Sequence, residues 1–135
     1  MSLYKQDKQT KDSLIVTKYH FEQALKLCET QRTRDTALES KINGYIARFY
    51  HMSDYDTERS KYHFERALEL HGYPQCHYNY ARLLQDMHDF ENADYHYLKA
   101  IELYDEIGDH HHHKHGYKYA IHYGYFKFLI EYKKI

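Results

Sequence analysis

The sequence predicts an all-α fold of about six antiparallel helices in three hairpins. The chain of 135 residues contains only five Gly and one Pro, and it lacks the alternating runs of Val, Ile and Thr that are typical of strands. One phrase occurs three times, as TKYHFEQALKL at 17–27, SKYHFERALEL at 60–70 and ADYHYLKAIEL at 93–103. Each copy carries an apolar stripe with the spacing of one helix face, so the repetition indicates packed helices.

The stripe places a small residue, an aromatic ring, a second small residue and an aliphatic residue at i, i+4, i+7 and i+8. Small residues let another helix approach closely, and the ring fills the space beside them. We therefore expect each copy to be half of a packed helix pair. The stripe residues are Thr17, Phe21, Ala24 and Leu25 in the first copy, Ser60, Phe64, Ala67 and Leu68 in the second, and Ala93, Tyr97, Ala100 and Ile101 in the third.

One further helix is expected between the first two copies. Thr36 and Glu39 have the spacing of an S/T-x-x-E capping box, which predicts a helix that opens there and ends near His51. Asp54 and Asp56 then offer N-caps for the helix that holds the second copy.

The later boundaries have similar signals. The helix of the second copy should stop at HGYP, where Gly72 can adopt a positive φ and Pro74 can be the first residue of the next helix. Asp89 is the predicted cap of the helix of the third copy, which Gly108 ends. A last helix is predicted from about Gly116 toward the C-terminus.

Residues 78–103 resemble a tetratricopeptide repeat, because YNYARLLQDMHDFENADYHYLKAIEL has the residue classes of that family in order. Residues 45–70 match less well, with one extra residue near the turn and Ser60 where Ala is usual. The matching positions in the better copy are Ala81 and Leu84 in the first helix, Phe90 at the turn, and Ala93, Tyr97 and Ala100 in the second helix.

The resemblance implies a tetratricopeptide-like superhelix, or solenoid, formed as a single domain over residues 1–135. The spacing departs from the 34 residues of the family, since Ala24 and Ala67 are 43 positions apart and Ala67 and Ala100 are 33 apart. Longer helices or loops around 28–36 and 104–116 would absorb the difference. The first and last helices are expected to be unpaired or capping elements.

The family resemblance also implies a function, that of a non-catalytic protein–protein interaction module or scaffold. In such solenoids the first helix of each pair lines a concave surface that holds a peptide or another subunit. The expected surface is basic and aromatic, so the predicted partner is an extended or acidic segment; the alternative at each position is an ordinary solvated helix face. The predicted binding residues are Lys41, Arg48, His51, Tyr78, Asn79, Arg82, Gln85, Lys118, Tyr125 and Phe128.

Some members of the family clamp the C-terminal carboxylate of a chaperone. Asn79 matches the middle position of that clamp, but the outer positions offer only Lys41 with Tyr45 and Lys118 with His122. Because most of the required donors are missing, a cochaperone is not predicted.

The histidines are interpreted as structural. His20, His63 and His96 recur at one place in the three copies, but helices pack about 8 to 10 Å apart and zinc ligands must lie about 2 Å from one ion. We expect half-buried residues and no metal. The tract DHHHHKH at 109–115 lacks the fixed geometry of a metal site, so no cofactor is predicted, although a pH-sensitive contact there is a hypothesis.

Two other functions remain open beside the interaction module. No phosphate loop, nucleophile elbow, CxxC or HExxH motif is present, so an enzyme is not predicted. Single-stranded RNA binding would use the aromatic and Arg side chains, but the net charge of -1 disfavours nucleic acid. The alternative is an architectural subunit of a large assembly, whose C-terminal helix is apolar on two sides and mediates self-association or partner binding.

The location predicted from the sequence is cytoplasmic. Only Cys28 and Cys76 are present, which is no disulfide framework and indicates a reducing compartment. The N-terminal MSLYKQDKQTKDSL lacks the apolar core of a signal peptide, and no stretch approaches the roughly 20 apolar residues of a membrane span. We expect a soluble protein without membrane contact.

Overall fold

The computed structural model describes the backbone of residues 3–107 and 115–133 and the side chains of residues 11–106 and 119–133. In these ranges the chain forms six helices and no strand, which confirms the predicted all-α class. The helices are α1 (Leu3–Thr30), α2 (Thr36–Met52), α3 (Thr57–Leu70), α4 (Pro74–Asp86), α5 (Phe90–Ile107) and α6 (His115–Lys133).

The chain divides into two compact units, Met1–His71 with α1 to α3 and Gly72–Ile135 with α4 to α6. The single domain and the superhelix that the sequence predicts both depend on how the two units are arranged, so both stay predictions.

In the first unit, α2 and α3 form an antiparallel pair held by polar contacts between small residues and backbone. The Ser60 hydroxyl donates to the Ala47 carbonyl over 2.6 Å, and the Ser40 hydroxyl donates to the Ala67 carbonyl over 2.8 Å. Helix α1 lies against α2, where the Phe21 ring meets the Phe49 ring edge to face. The unit is thus a hairpin with one additional helix.

In the second unit, α4 and α5 form the equivalent antiparallel pair, and α6 packs on α5. The Tyr97 ring of α5 lies against both Tyr125 and Phe128 of α6, with centroid separations of 5.7 and 5.1 Å. The Tyr125 hydroxyl donates to Asp94 over 2.8 Å. Burial and this hydrogen bond raise the pKa of Tyr125 to about 12, so its hydroxyl stays protonated near neutral pH.

The stripe of the repeated phrase is core in the second and third copies. Its first three residues are fully buried in both, and Leu68 and Ile101 are half-buried. In the first copy Thr17 is exposed and Phe21 is half-buried, as are the two residues after them in the stripe. The copies of α3 and α5 each lie in a hairpin, whereas that of α1 has only a flanking contact with α2, so its stripe is only partly covered.

Both hairpin turns place a bulky residue in left-handed backbone. Tyr55 has φ 54° and His88 has φ 61°. In the second hairpin the Asp89 amide donates to the Leu84 carbonyl, five residues back, whereas in the first the Asp56 amide donates to Tyr50, six residues back. The first turn is therefore one residue longer, as the sequence comparison of the two copies predicts.

The helix ends differ in part from expectation. The Asp35 carboxylate, and not the predicted Thr36, caps α2 by accepting from the Leu38 amide over 3.0 Å. The capping-box prediction is wrong because Glu39 is buried and binds Arg34. The Glu39 carboxylate accepts from the Arg34 guanidinium, so it does not serve the backbone amide that a capping box would require.

The boundary between α3 and α4 also differs in one respect. His71 ends α3 in extended backbone, and Gly72 does not adopt the predicted positive φ. Two other boundaries follow the sequence: Asp56 caps α3 and Pro74 opens α4. Asp89 directly precedes α5, but its carboxylate accepts from the Asn92 side chain over 2.8 Å. The predicted stop at Gly108 lies outside the described residues.

Equivalent places in the two hairpins hold buried polar pairs of different composition. In the first unit Asn43 Oδ1 lies 2.9 Å from His63 Nδ1, and in the second His77 Nδ1 lies 2.9 Å from His96 Nδ1. Burial lowers the pKa of His77 to about 4, helped by His96 and by the charge of Lys99. Two imidazoles at this distance can share only one hydrogen, so the two rings cannot both be charged, and the lowered pKa keeps His77 neutral near neutral pH.

Replacing His77 with Asn should reduce the acid sensitivity of the second unit, because Asn43 already fills the equivalent place. The pKa of His77 lies below the roughly 6.5 of an unfolded chain, so its contribution to stability is lost as the pH falls from about 6.5 toward about 4. Relative to wild type, His77→Asn should gain about 1 to 2 kcal/mol of unfolding free energy between about pH 7 and about pH 4.5. Urea unfolding followed by circular dichroism measures the difference.

The control for this prediction is His20→Asn, since His20 is exposed on α1. That variant should follow wild type at both pH values. An unchanged pH dependence in His77→Asn would show that the His77 and His96 pair does not cause the acid sensitivity.

Candidate functional site

Helix α6 has two apolar faces, and the second unit covers only one of them. The inner face is fully buried, with Ile121 1% and Phe128 0% exposed. The outer face carries a stripe of four large side chains that remain exposed. We call these four residues the outer stripe: Tyr119 at 78%, Tyr123 at 61%, Phe126 at 58% and Ile130 at 44%.

The inner face is fixed by a close approach of α6 to α4. The Tyr78 ring lies over Gly124, and its hydroxyl donates to the Ala120 carbonyl over 3.3 Å. Farther along the helix, the Gln85 amide donates to Glu131 over 2.8 Å and its oxygen accepts from Tyr97 over 2.7 Å. These contacts set the rotation of α6 about its axis, so the outer stripe points away from the unit's own core.

The outer stripe has the spacing of a helix-binding seam. Its members are separated by four, three and four residues, which is the a and d pattern of a heptad repeat. Tyr and Phe are also the side chains that interfaces favour, since they bury much apolar area with few rotatable bonds. A single exposed aromatic residue needs no explanation, but four large apolar residues in one row on one helix form a candidate docking surface.

Basic side chains border the outer stripe. His122, Lys127 and Lys133 are exposed on α6 beside it. The Lys127 ammonium lies 4.8 Å from the centre of the Tyr123 ring, within the range of a cation–π contact. The nearest described carboxylate of the helix, Glu131, is engaged by Gln85.

The predicted binding residues of the first unit lie on α2. Lys41 and Arg48 are exposed, together with Tyr45 and Met52, at the i, i+4, i+7 and i+11 positions of one helix face. His51 is half-buried. Tyr45 and Met52 are not among the predicted binding residues, although their helical spacing with Lys41 and Arg48 was a usable signal.

The predicted residues of the second unit have mixed positions. Those on α4 are half-buried: Tyr78 and Gln85 contact α6, Arg82 lies over the Tyr78 ring with its guanidinium carbon 5.9 Å from the ring centre, and Asn79 lies beside them in sequence. On α6, Tyr125 is bonded to Asp94 and Phe128 is core. The side chain of Lys118 lies outside the described residues.

The two described α6 residues among the predicted binding residues lie on its inner face, although the sequence also predicts that the helix is apolar on two sides. Tyr125 and Phe128 were assigned by analogy with the family, but they hold the helix onto α5. The exposed Tyr123 and Phe126 carry the same residue types at the same spacing. Composition alone cannot say which of two apolar faces a neighbour covers, so only the packing separates them.

The repeated histidines have three different environments. His20 is exposed, in contrast to the expected half-burial, whereas His63 and His96 are half-buried in the polar pairs of the two hairpins. Among the described side chains, no three His, Cys, Asp or Glu residues lie together as a metal site would require. The tract at 110–113 lies outside the described residues.

The two cysteines are buried, and this fixes their protonation. Burial raises the pKa of Cys76 to about 12 and also raises that of Cys28. Both thiols are therefore protonated near neutral pH, which is unsuitable for a nucleophile. None of the helices in the described ranges combines the length and apolar character needed to cross a bilayer.

Substitution of Gly124 with Ala should disturb the seat of α6. An added Cβ would lie 2.8 Å from Tyr78 Cε2 and closer still to the hydroxyl. Displacing the ring should outweigh the higher helix propensity of Ala, for a net loss of about 1 kcal/mol of unfolding free energy. Thermal and urea unfolding of the purified variant measure the change.

Gly44 on α2 provides the matched control, because nothing lies within 4 Å of a Cβ built there. Gly44→Ala should stabilise the chain by about 0.5 to 1 kcal/mol through helix propensity alone. In a Tyr78→Ala background, Gly124→Ala should become stabilising as well. Equal stabilisation by both Gly→Ala changes in the wild-type background would contradict the close approach.

Comparison with known proteins adds no assignment. No protein-family model matches the chain, and no match is found among curated proteins or among solved structures.

Proposed function

We propose that this chain is a non-catalytic protein–protein interaction module of tetratricopeptide-like build, and that it binds a protein partner through the outer stripe of α6. The observation that carries the proposal is the exposure of four large apolar side chains in one row, on a helix whose opposite face is fully packed. An exposed apolar row of this size lowers the solubility of a protein unless a partner covers it.

The geometry around the stripe supports a binding role. Because Tyr78, Gln85 and Tyr125 fix the inner face of α6, the outer stripe is held rigidly before any partner arrives. A preorganised surface loses little conformational entropy on binding. Tyr119 and Tyr123 also have hydroxyls that can stay hydrated at an interface rim while their rings are covered.

A second surface on α2 supports the same function. Lys41, Tyr45, Arg48 and Met52 form an exposed basic and aromatic row on the first helix of its pair. In the family that the sequence resembles, first helices carry the ligand. We propose that this row contributes to capture of the partner in the first unit.

The test is affinity purification of the tagged full-length chain from its native cells, with the bound chains identified by mass spectrometry. Tyr123→Glu combined with Phe126→Glu should remove a partner that wild type retains in stoichiometric amount, because two charges would have to be buried at the interface. Arg48→Glu should weaken the same capture.

The matched control is Tyr62→Glu, since Tyr62 is an equally exposed tyrosine, at 63%, on α3 outside both rows. It should retain the partner. All variants must keep the wild-type circular dichroism spectrum and melting temperature. Retention of the same partner by the Tyr123 and Phe126 double variant would show that the outer stripe is not the binding surface.

A further inference from the structure

We infer that the partner segment on the outer stripe is an amphipathic helix whose own apolar stripe is bordered by acidic side chains. This inference rests on the proposed function and specifies the chemistry of the partner. It is carried by two features of α6, the heptad spacing of the outer stripe and the sign of the charges that border it.

The spacing selects a helix as the occupant. Tyr119, Tyr123, Phe126 and Ile130 repeat every three or four residues along about three turns. A second helix crossing at a shallow angle presents side chains with the same period, so each can enter the gap between two members of the stripe. An extended peptide, with its period of two, would match only part of the row.

The basic residues beside the outer stripe determine which charge the partner helix should carry. Lys127 lies on one side of the outer stripe and His122 and Lys133 lie on the other, all exposed. No carboxylate of the described part of α6 lies at this border, because Glu131 is held by Gln85 on the side toward α4. Glu or Asp at the flanking positions of a partner helix would therefore pair with Lys127 and Lys133.

A second copy of the chain fits the same surface poorly. In a parallel pair of α6 helices Lys127 would face His122 of the other copy, and in an antiparallel pair it would face the other Lys127. Neither orientation brings a carboxylate to the border, and in the antiparallel pair the two facing lysines oppose association. The border thus favours a different chain over self-association.

Single-stranded RNA also fits poorly. The basic border contains two lysines and a histidine, which is few for tracking a phosphate backbone, and Ile130 offers no π face for a base to stack on. The net charge of -1 gives no general attraction for a polyanion. The local charge is sufficient for carboxylates on one helix face.

The test uses two labelled synthetic helices of about 21 residues, long enough to hold helical structure on a surface. Both carry Leu and Ile at the seam positions, and they differ only in having Glu or Lys at the flanking positions. Fluorescence anisotropy with the full-length chain should show the Glu helix binding about 3- to 10-fold more tightly at about 50 mM salt, with the ratio shrinking toward one at about 500 mM.

Variants connect the preference to named residues. Lys127→Glu with Lys133→Glu should reverse the preference in favour of the Lys helix, and Tyr123→Glu should weaken binding of both helices. Lys26→Glu, an exposed change on α1, should leave the preference as in wild type. Each variant is checked for an unchanged melting temperature.

The outcomes separate this inference from the proposed function. Equal binding of both helices, or unchanged preference in the lysine variant, overturns the acidic assignment, while loss of the native partner in the stripe variant would still support the interaction module. Sedimentation showing a dimer that Tyr123→Glu dissociates would make a second copy the occupant. Displacement of the Glu helix by an oligouridine would make RNA the occupant, and either result overturns the inference.

Discussion

Close approach between helices at small residues is the constraint on which both units depend. Ala47, Ala67, Ala81, Ala93 and Ala100 are fully buried, and residues of this size let a neighbouring helix approach closely. Where the small residue is Ser60, its hydroxyl donates to the Ala47 carbonyl, so the polar group is satisfied without loss of the close contact. Where it is Gly124, the facing ring of Tyr78 occupies the space that a Cβ would need.

The aromatic residues divide between core and surface according to this constraint. Phe64, Tyr97 and Phe128 are buried beside small residues in the core. Burial raises the pKa of Tyr97 far above its usual value, so its hydroxyl stays protonated. In all three copies of the repeated phrase, the tyrosine two positions before the aromatic residue of the stripe is exposed. Of the two aromatic rings in the repeated phrase, one therefore packs toward the neighbouring helix and the other stays on the surface.

Much of the fold could be predicted from the sequence, because its signals are local. Helix period, the caps at Asp56 and Pro74, and the longer first turn are all set by residues within a few positions of one another. The misassigned cap at Thr36 depends on Glu39, whose burial against Arg34 follows from the packing of α2 and α3. The exposed face of α6 could not be predicted, since both faces of the helix are apolar, and choosing between them requires knowledge of where Tyr78 and Gln85 lie.

The separation of the two faces of α6 has an evolutionary consequence. The described contacts that hold α6 in place involve Ile121, Gly124 and Phe128 on its inner face, and these residues take no part in the outer stripe. Substitutions on the outside can accumulate without a penalty in folding, and substitutions on the inside are restricted whatever the partner is. In the proposed interaction module, changes at the four positions of the outer stripe would alter which partner is bound without altering how α6 packs.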